Sequence, residues 1–176
     1  MACTVMFWIG CDQDPCENED CGFGTCIAVD DDAECRCDEG FEKDANGSCT
    51  IPAIDKFEGE YTASEVCTGD LIRDSSLVYD MTIAIFGSRL RVRNLGAWDC
   101  PSSSGTLDVF AEVDGNNFAI ESGNYCDDPS VNGIIRLSDG FGSFEDSLIL
   151  VRYKVIYEEG IQAFFNQTCE VRLRPK

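Results

Sequence analysis

Twelve cysteines and no histidine in 176 residues narrow what this chain can fold into. In a reducing cytosol, thiols are few or bind metal. Zinc sites commonly mix Cys with His, and no C-x-x-C pair occurs here, so the metal reading is weak. The cysteines therefore point to an oxidising compartment: periplasm, cell surface or extracellular space. Six of them fall at positions 16, 21, 26, 35, 37 and 49. Gly22, Gly24, Gly40 and Gly47 lie between them, amid Asp and Asn, and these are turn residues. A segment of about 35 residues buries too little to hold itself together without disulfides. Six cysteines allow fifteen pairings, and spacing alone does not choose among them.

The run Cys35-Arg36-Cys37-Asp38-Glu39-Gly40-Phe41, with Cys49 after it, resembles the C-terminal half of an EGF-like domain, C-x-C-x-x-G-[FY]-x(n)-C. Cys16, Cys21 and Cys26 complete the family's six. The resemblance implies the pairs Cys16–Cys26, Cys21–Cys35 and Cys37–Cys49. It also implies a small hairpin near Thr25–Val29 and Glu34–Cys37, with Gly40 in a turn and Phe41 packed on the last loop. Many members of the family bind calcium, and Asp12, Asp14 and Asp30 are the weak candidates for that here. Pro15, Ala28 and Ala33 occupy positions where such members carry Glu or Gln, Asn and an aromatic. Calcium takes six to eight oxygens, so these losses count against a metal site. Asp30, Asp31 and Asp32 also read as an exposed acidic turn.

Residues 51–55 read as a linker. From residue 56 to 176 the chain alternates apolar and polar residues at period two, broken by Gly, Asn, Asp and Ser. Candidate strands are 57–66, 77–86, 89–95, 106–113, 117–122, 132–138, 145–157 and 161–173, with Glu158-Glu159-Gly160 as a hairpin turn. On the last strand Ile161, Ala163, Phe165, Val171 and Leu173 share one face. The fold class is mainly β: a disulfide-rich module followed by an eight-stranded antiparallel up-and-down barrel, whose closure removes exposed edges. A β-sandwich is the alternative. Phe57-Glu58-Gly59-Glu60-Tyr61 resembles the first strand of lipocalin-like proteins, with Tyr61 at the Trp position. That resemblance implies that Arg172 or Arg174 packs on the aromatic. In a meander, Cys100 and Cys126 lie on loops at one end, and Cys67 and Cys169 on the first and last strands. Cys67–Cys169 with Cys100–Cys126 is the geometric first choice among three pairings.

The net charge is −20, of which residues 11–50 carry −11 and residues 51–176 carry −9. Such a surface repels nucleic acid and anionic membrane. Without histidine, the usual general base and the Ser-His and Cys-His systems are absent. Asp127-Asp128 and Glu145-Asp146 are the available paired acids, but neighbours on a strand face opposite ways. The expectation is a protein that is not an enzyme and carries no cofactor. Phe86, Phe110, Phe118, Phe144, Phe164 and Phe165 either fill the barrel or line a cavity for a small apolar ligand. Asn46-Gly47-Ser48 and Asn166-Gln167-Thr168 are N-glycosylation sequons.

Trp8-Ile9-Gly10-Cys11 resembles a bacterial lipobox, and the apolar run Val5–Gly10 before it reads as the tail of a signal core. On that reading residues 1–11 are signal and anchor, residues 12–50 the EGF-like module, and Cys11 carries the lipid. Cysteine parity agrees: ten are assigned to bridges, leaving Cys3 and Cys11. The other reading is a Cys3–Cys11 disulfide. The acidic Asp12-Gln13-Asp14 resembles the export tag of Bacteroidota surface lipoproteins. The leading functional expectation is a non-catalytic lipoprotein of the outer membrane or cell surface, or a secreted protein, acting as a binding, adhesion or structural module. Its partner would be a protein or glycan. A carrier of a small apolar ligand and a eukaryotic secreted adhesion or matrix protein are the alternatives.

Overall fold

The computed structural model describes residues 14–70, 76–100, 105–128, 133–159 and 162–176. The chain forms two compact units, Met1–Ile51 and Pro52–Lys176.

The first unit is built around cystines. Strands β1 (Gly24–Val29) and β2 (Asp32–Cys37) form an antiparallel hairpin. Its turn residues Asp30 and Asp31 both have positive φ, 50° and 69°. A two-residue hairpin turn of this kind requires positive φ at both positions, which short polar side chains tolerate best. Strands β3 (Phe41–Lys43) and β4 (Cys49–Pro52) make a second small sheet. Cys21, Cys35 and Cys49 are the buried core of this unit, with Cys26, Cys37 and Phe41 packed on them. Phe41 also stacks on Phe23, ring centroids 4.2 Å apart. Between β3 and β4, Asp44 Oδ1 accepts the amides of Asn46 and Ser48, and its Oδ2 accepts the Thr50 hydroxyl.

The second unit is an eight-stranded antiparallel barrel. Its strands are β5 (Gly59–Gly69), β6 (Ser76–Phe86) and β7 (Arg89–Arg93), then, after the two-residue pieces β8 (Asp99–Cys100) and β9 (Gly105–Thr106), β10 (Asp108–Asp114). They continue with β11 (Asn117–Ile120), β12 (Gly123–Asp128), β13 (Gly133–Glu145), β14 (Leu148–Glu159) and β15 (Gln162–Pro175). The ring runs β5-β6-β7-β10-β11-β13-β14-β15 and closes on the β15–β5 pair. β11 and β12 lie along the same edge of β13. β11 pairs with Gly140–Ser143, and β12 with the half of β13 starting at Gly133. A bulge between Ser138 and Phe141, with Asp139 at φ 51°, separates the two halves.

The sandwich alternative is thereby excluded, and several boundaries move. β13 runs on to Glu145, and the turn to β14 is Asp146-Ser147, both at positive φ. Glu158 and Glu159 are not a turn: they end β14, paired with Ala163 and Gln162. The residues read as a linker belong partly to the barrel. A short 3₁₀ turn over Ala53–Phe57 buries Ala53 and Phe57 completely. Phe57 meets Phe118 and Phe144 edge-on at 5.2 and 6.1 Å. This plug closes the barrel end that also carries the β10–β11 turn, since Lys56 Nζ donates to Asn116 Oδ1.

Candidate functional site

Inward positions of a barrel strand alternate with outward ones, so each inward residue must suit an apolar interior. On β5 the inward residues are Tyr61, Ala63, Glu65 and Cys67. Glu65 is 1% exposed, and a buried carboxylate needs hydrogen bonds. Its Oε2 accepts the hydroxyls of Tyr79 on β6 at 2.7 Å and Tyr153 on β14 at 3.0 Å. Its Oε1 lies 3.1 Å from Cys67 Sγ, a disulfide sulfur with no proton to give. The Tyr79 oxygen in turn accepts the Gly96 amide at 2.8 Å.

Gly96 lies in a second 3₁₀ turn, Leu95–Ala97, within the connection from β7 to β10. This connection dips into the barrel: Leu95 and Leu107 are fully buried, and the Leu95 amide donates to the Leu107 carbonyl. Gly96 has φ 68°, and a Cβ there would stand 2.5 Å from the Tyr153 hydroxyl and 2.6 Å from the Trp98 ring. Only glycine fits. The Cys100–Cys126 bridge fastens the same connection to β12. Glu65, Tyr79 and Tyr153 therefore stitch an inward loop to three barrel strands.

Gln167 on β15 is the second buried polar group, also 1% exposed. Among the described residues, neither its amide oxygen nor its amide nitrogen has a hydrogen-bond partner. In the β5–β15 register Glu65 and Gln167 lie two residues to either side of the Cys67–Cys169 pair. One group of three metal-type ligands converges among the described residues, Glu65, Cys67 and Cys169. Its two sulfurs are bonded to each other, so it offers a metal only the carboxylate.

The bridges are Cys16–Cys26, Cys21–Cys35, Cys37–Cys49, Cys67–Cys169 and Cys100–Cys126, with Cα separations of 4.1–5.7 Å. Five disulfides indicate an oxidising, extracytoplasmic environment. Cys11 and Asp12 lie outside the described residues. Asp14 accepts the Cys16 amide at 2.9 Å, and Asp30 belongs to the β1–β2 turn, so each has a local structural task. Arg172 and Arg174 do not pack on Tyr61. They are exposed on the outer face, whereas Tyr61 points inward and donates to the Phe57 carbonyl. Burial pushes the Tyr61 hydroxyl pKa up.

The aromatics divide in a way that their spacing alone does not reveal. Phe118 and Phe144 pack inside. Phe86 and Phe110 meet at a tilt, centroids 5.6 Å apart, with Phe86 exposed and the Arg89 guanidinium 4.7 Å over the Phe110 ring. Side chains of Phe164, Phe165, Asp127 and Asp128 lie outside the described set. Glu145 and Asp146 are exposed at a turn. Glu65 and Gln167 were not singled out from the sequence, although a charged or amide residue at an inward position was the available signal. No family model matches this chain, and no curated protein matches it.

Proposed function

We propose that this chain is a non-catalytic binding or adhesion protein of the cell surface, an EGF-like module carried with a lipocalin-like barrel and held on the membrane by a lipid on Cys11. The observation that carries this reading is how the barrel interior is occupied. From the Phe57 plug, through Met81, Leu90 and Phe118, to Leu95 and Leu107, the described inward side chains form one buried apolar cluster, which supports a filled interior. A barrel packed in this way recognises partners with its outside. The two interleaved bridges followed by a third, the β1–β2 hairpin, and Phe41 packed on the cystine core support the EGF-like part. The carrier reading has one observation in its favour, the unsatisfied buried amide of Gln167.

The test is intact and native mass spectrometry of protein made from its full gene in the native host. The expected species has lost residues 1–10, carries acyl chains on Cys11, holds five disulfides and has no small molecule bound. An unmodified Cys11 would refute the anchor. A copurifying molecule that disappears in Gln167→Leu would establish the carrier instead.

A further inference from the structure

Outward-facing residues of five adjacent strands form two neighbouring rows on the barrel exterior. One row, read across β13, β14, β15, β5 and β6, is Phe141, Arg152, Glu170, Val66 and Ser76. The next is Ser143, Leu150, Arg172, Ser64 and Val78. Most outward positions of a sheet facing water are polar. Here Phe141, Val66 and Val78 are 48%, 55% and 74% exposed. Phe141 lines a shallow groove of about 230 Å³ with Leu150, Arg152, Glu170 and Arg172, and Val66 and Val78 continue the same two rows on β5 and β6.

We propose that this face docks an acidic protein segment whose apolar side chains seat on Phe141, Leu150, Val66 and Val78 while a carboxylate pairs with Arg172. The proposal deepens the binding role proposed above and rests on it. The charge argument is local. Glu170, two residues from Arg172, is already paired with Arg152 at 3.2 Å. Arg172 is exposed and in no ion pair among the described residues. The remote acids of this −20 chain are screened beyond about 8 Å at physiological salt, so the nearby guanidinium sets the sign of the field here. Arginine offers a carboxylate two parallel hydrogen bonds, which fixes a partner's register as well as its charge. Five strands at about 4.8 Å spacing give a footprint nearly 20 Å wide, the reach of a peptide of several residues. Three aliphatic anchors suit aliphatic and aromatic side chains. A sugar ring would need flat aromatic platforms, and Phe141 supplies one.

The test pans a displayed random dodecapeptide library on the full chain, with an oligouronate titration beside it. Wild type should enrich peptides that combine Asp or Glu with large apolar residues. Arg172→Glu should weaken those peptides by about tenfold or more, as removal of a central interface arginine does. Val78→Ser with Phe141→Ser should weaken them comparably, and both variants should keep the wild-type β-type circular dichroism. Enriched peptides without acids, or peptides indifferent to Arg172→Glu, would overturn the proposal. So would Arg172-dependent oligouronate binding with no peptide enrichment. None of these outcomes bears on the lipid at Cys11, so failure here leaves the anchored-surface reading to its own mass measurement.

Discussion

Replacing Cys67 and Cys169 together by Ala should cost the barrel more than removing any other bridge. Cys67 and Cys169 face each other directly across β5 and β15, the seam where the first and last barrel strands meet. Their sequence separation is 102, and the Cys100–Cys126 bridge short-circuits 26 of those residues in the unfolded chain. The chain-entropy treatment of the remaining loop gives about 4.5 kcal/mol of stabilisation, against about 3.5 kcal/mol for the shorter Cys100–Cys126 loop. Cys67 and Cys169 are both buried, whereas of the other pair only Cys100 is, so lost packing adds at least as much to the first variant and leaves the order unchanged. In heat the first variant should lose about 10–20 °C of Tm. The assay is urea unfolding of the full chain followed by far-UV circular dichroism. The variant should show a lower midpoint and a steeper slope, because its unfolded chain is no longer cross-linked and exposes more surface. A loss no larger than that of the Cys100→Ala/Cys126→Ala variant would refute the loop-closure reasoning, as would an unchanged slope.

Four further outcomes follow from the interior and from the small module. Gly96→Ala should destabilise the barrel by about 2–4 kcal/mol in urea, through left-handed strain and a clash with Tyr153. Tyr79→Phe removes the hydrogen bonds that the Tyr79 hydroxyl makes to Glu65 and to the Gly96 amide, so it should cost about 1–3 kcal/mol in the same assay. Gln167→Leu removes two buried polar atoms unpaired among the described residues and should raise stability by about 1–3 kcal/mol; a loss would refute the unpaired-amide reasoning. In the first unit, the Thr50 hydroxyl and then the Asn46 amide hold the Asp44 carboxyl below the usual Asp range. A depressed folded pKa contributes stability above the ordinary Asp value and loses it as pH falls through the lower folded one. NMR titration should place Asp44 below that ordinary value, and Thr50→Val should raise it; an unmoved midpoint would remove the Thr50 hydroxyl as cause.

The parts of this fold that were legible in the sequence are those governed by local rules. Alternation at period two located all eight barrel strands, because each inward residue had to be apolar wherever the interior was uniform. The meander order then put Cys67 beside Cys169, which depends only on the first strand meeting the last. The illegible parts are those where distant segments decide. Asp146-Ser147 was absorbed into a strand because it lacks the Gly that marks such turns, although Asp tolerates positive φ. Phe57 looked like the start of a strand, but the barrel end needed a plug, and burying its ring mattered more than one more ladder pair. Arg172 and Arg174 were expected on Tyr61, yet alternation from Val171 and Leu173 already sends them outward. The same rule applied to β5 marks Glu65 as inward. A carboxylate there is tolerable only because Tyr79, Tyr153 and a glycine from a loop some thirty residues away converge on it. Gln167 has no such compensation among the described residues. A buried amide without a partner costs free energy, and the Gln167→Leu measurement therefore reads directly whether this inward position is a cost that the fold carries.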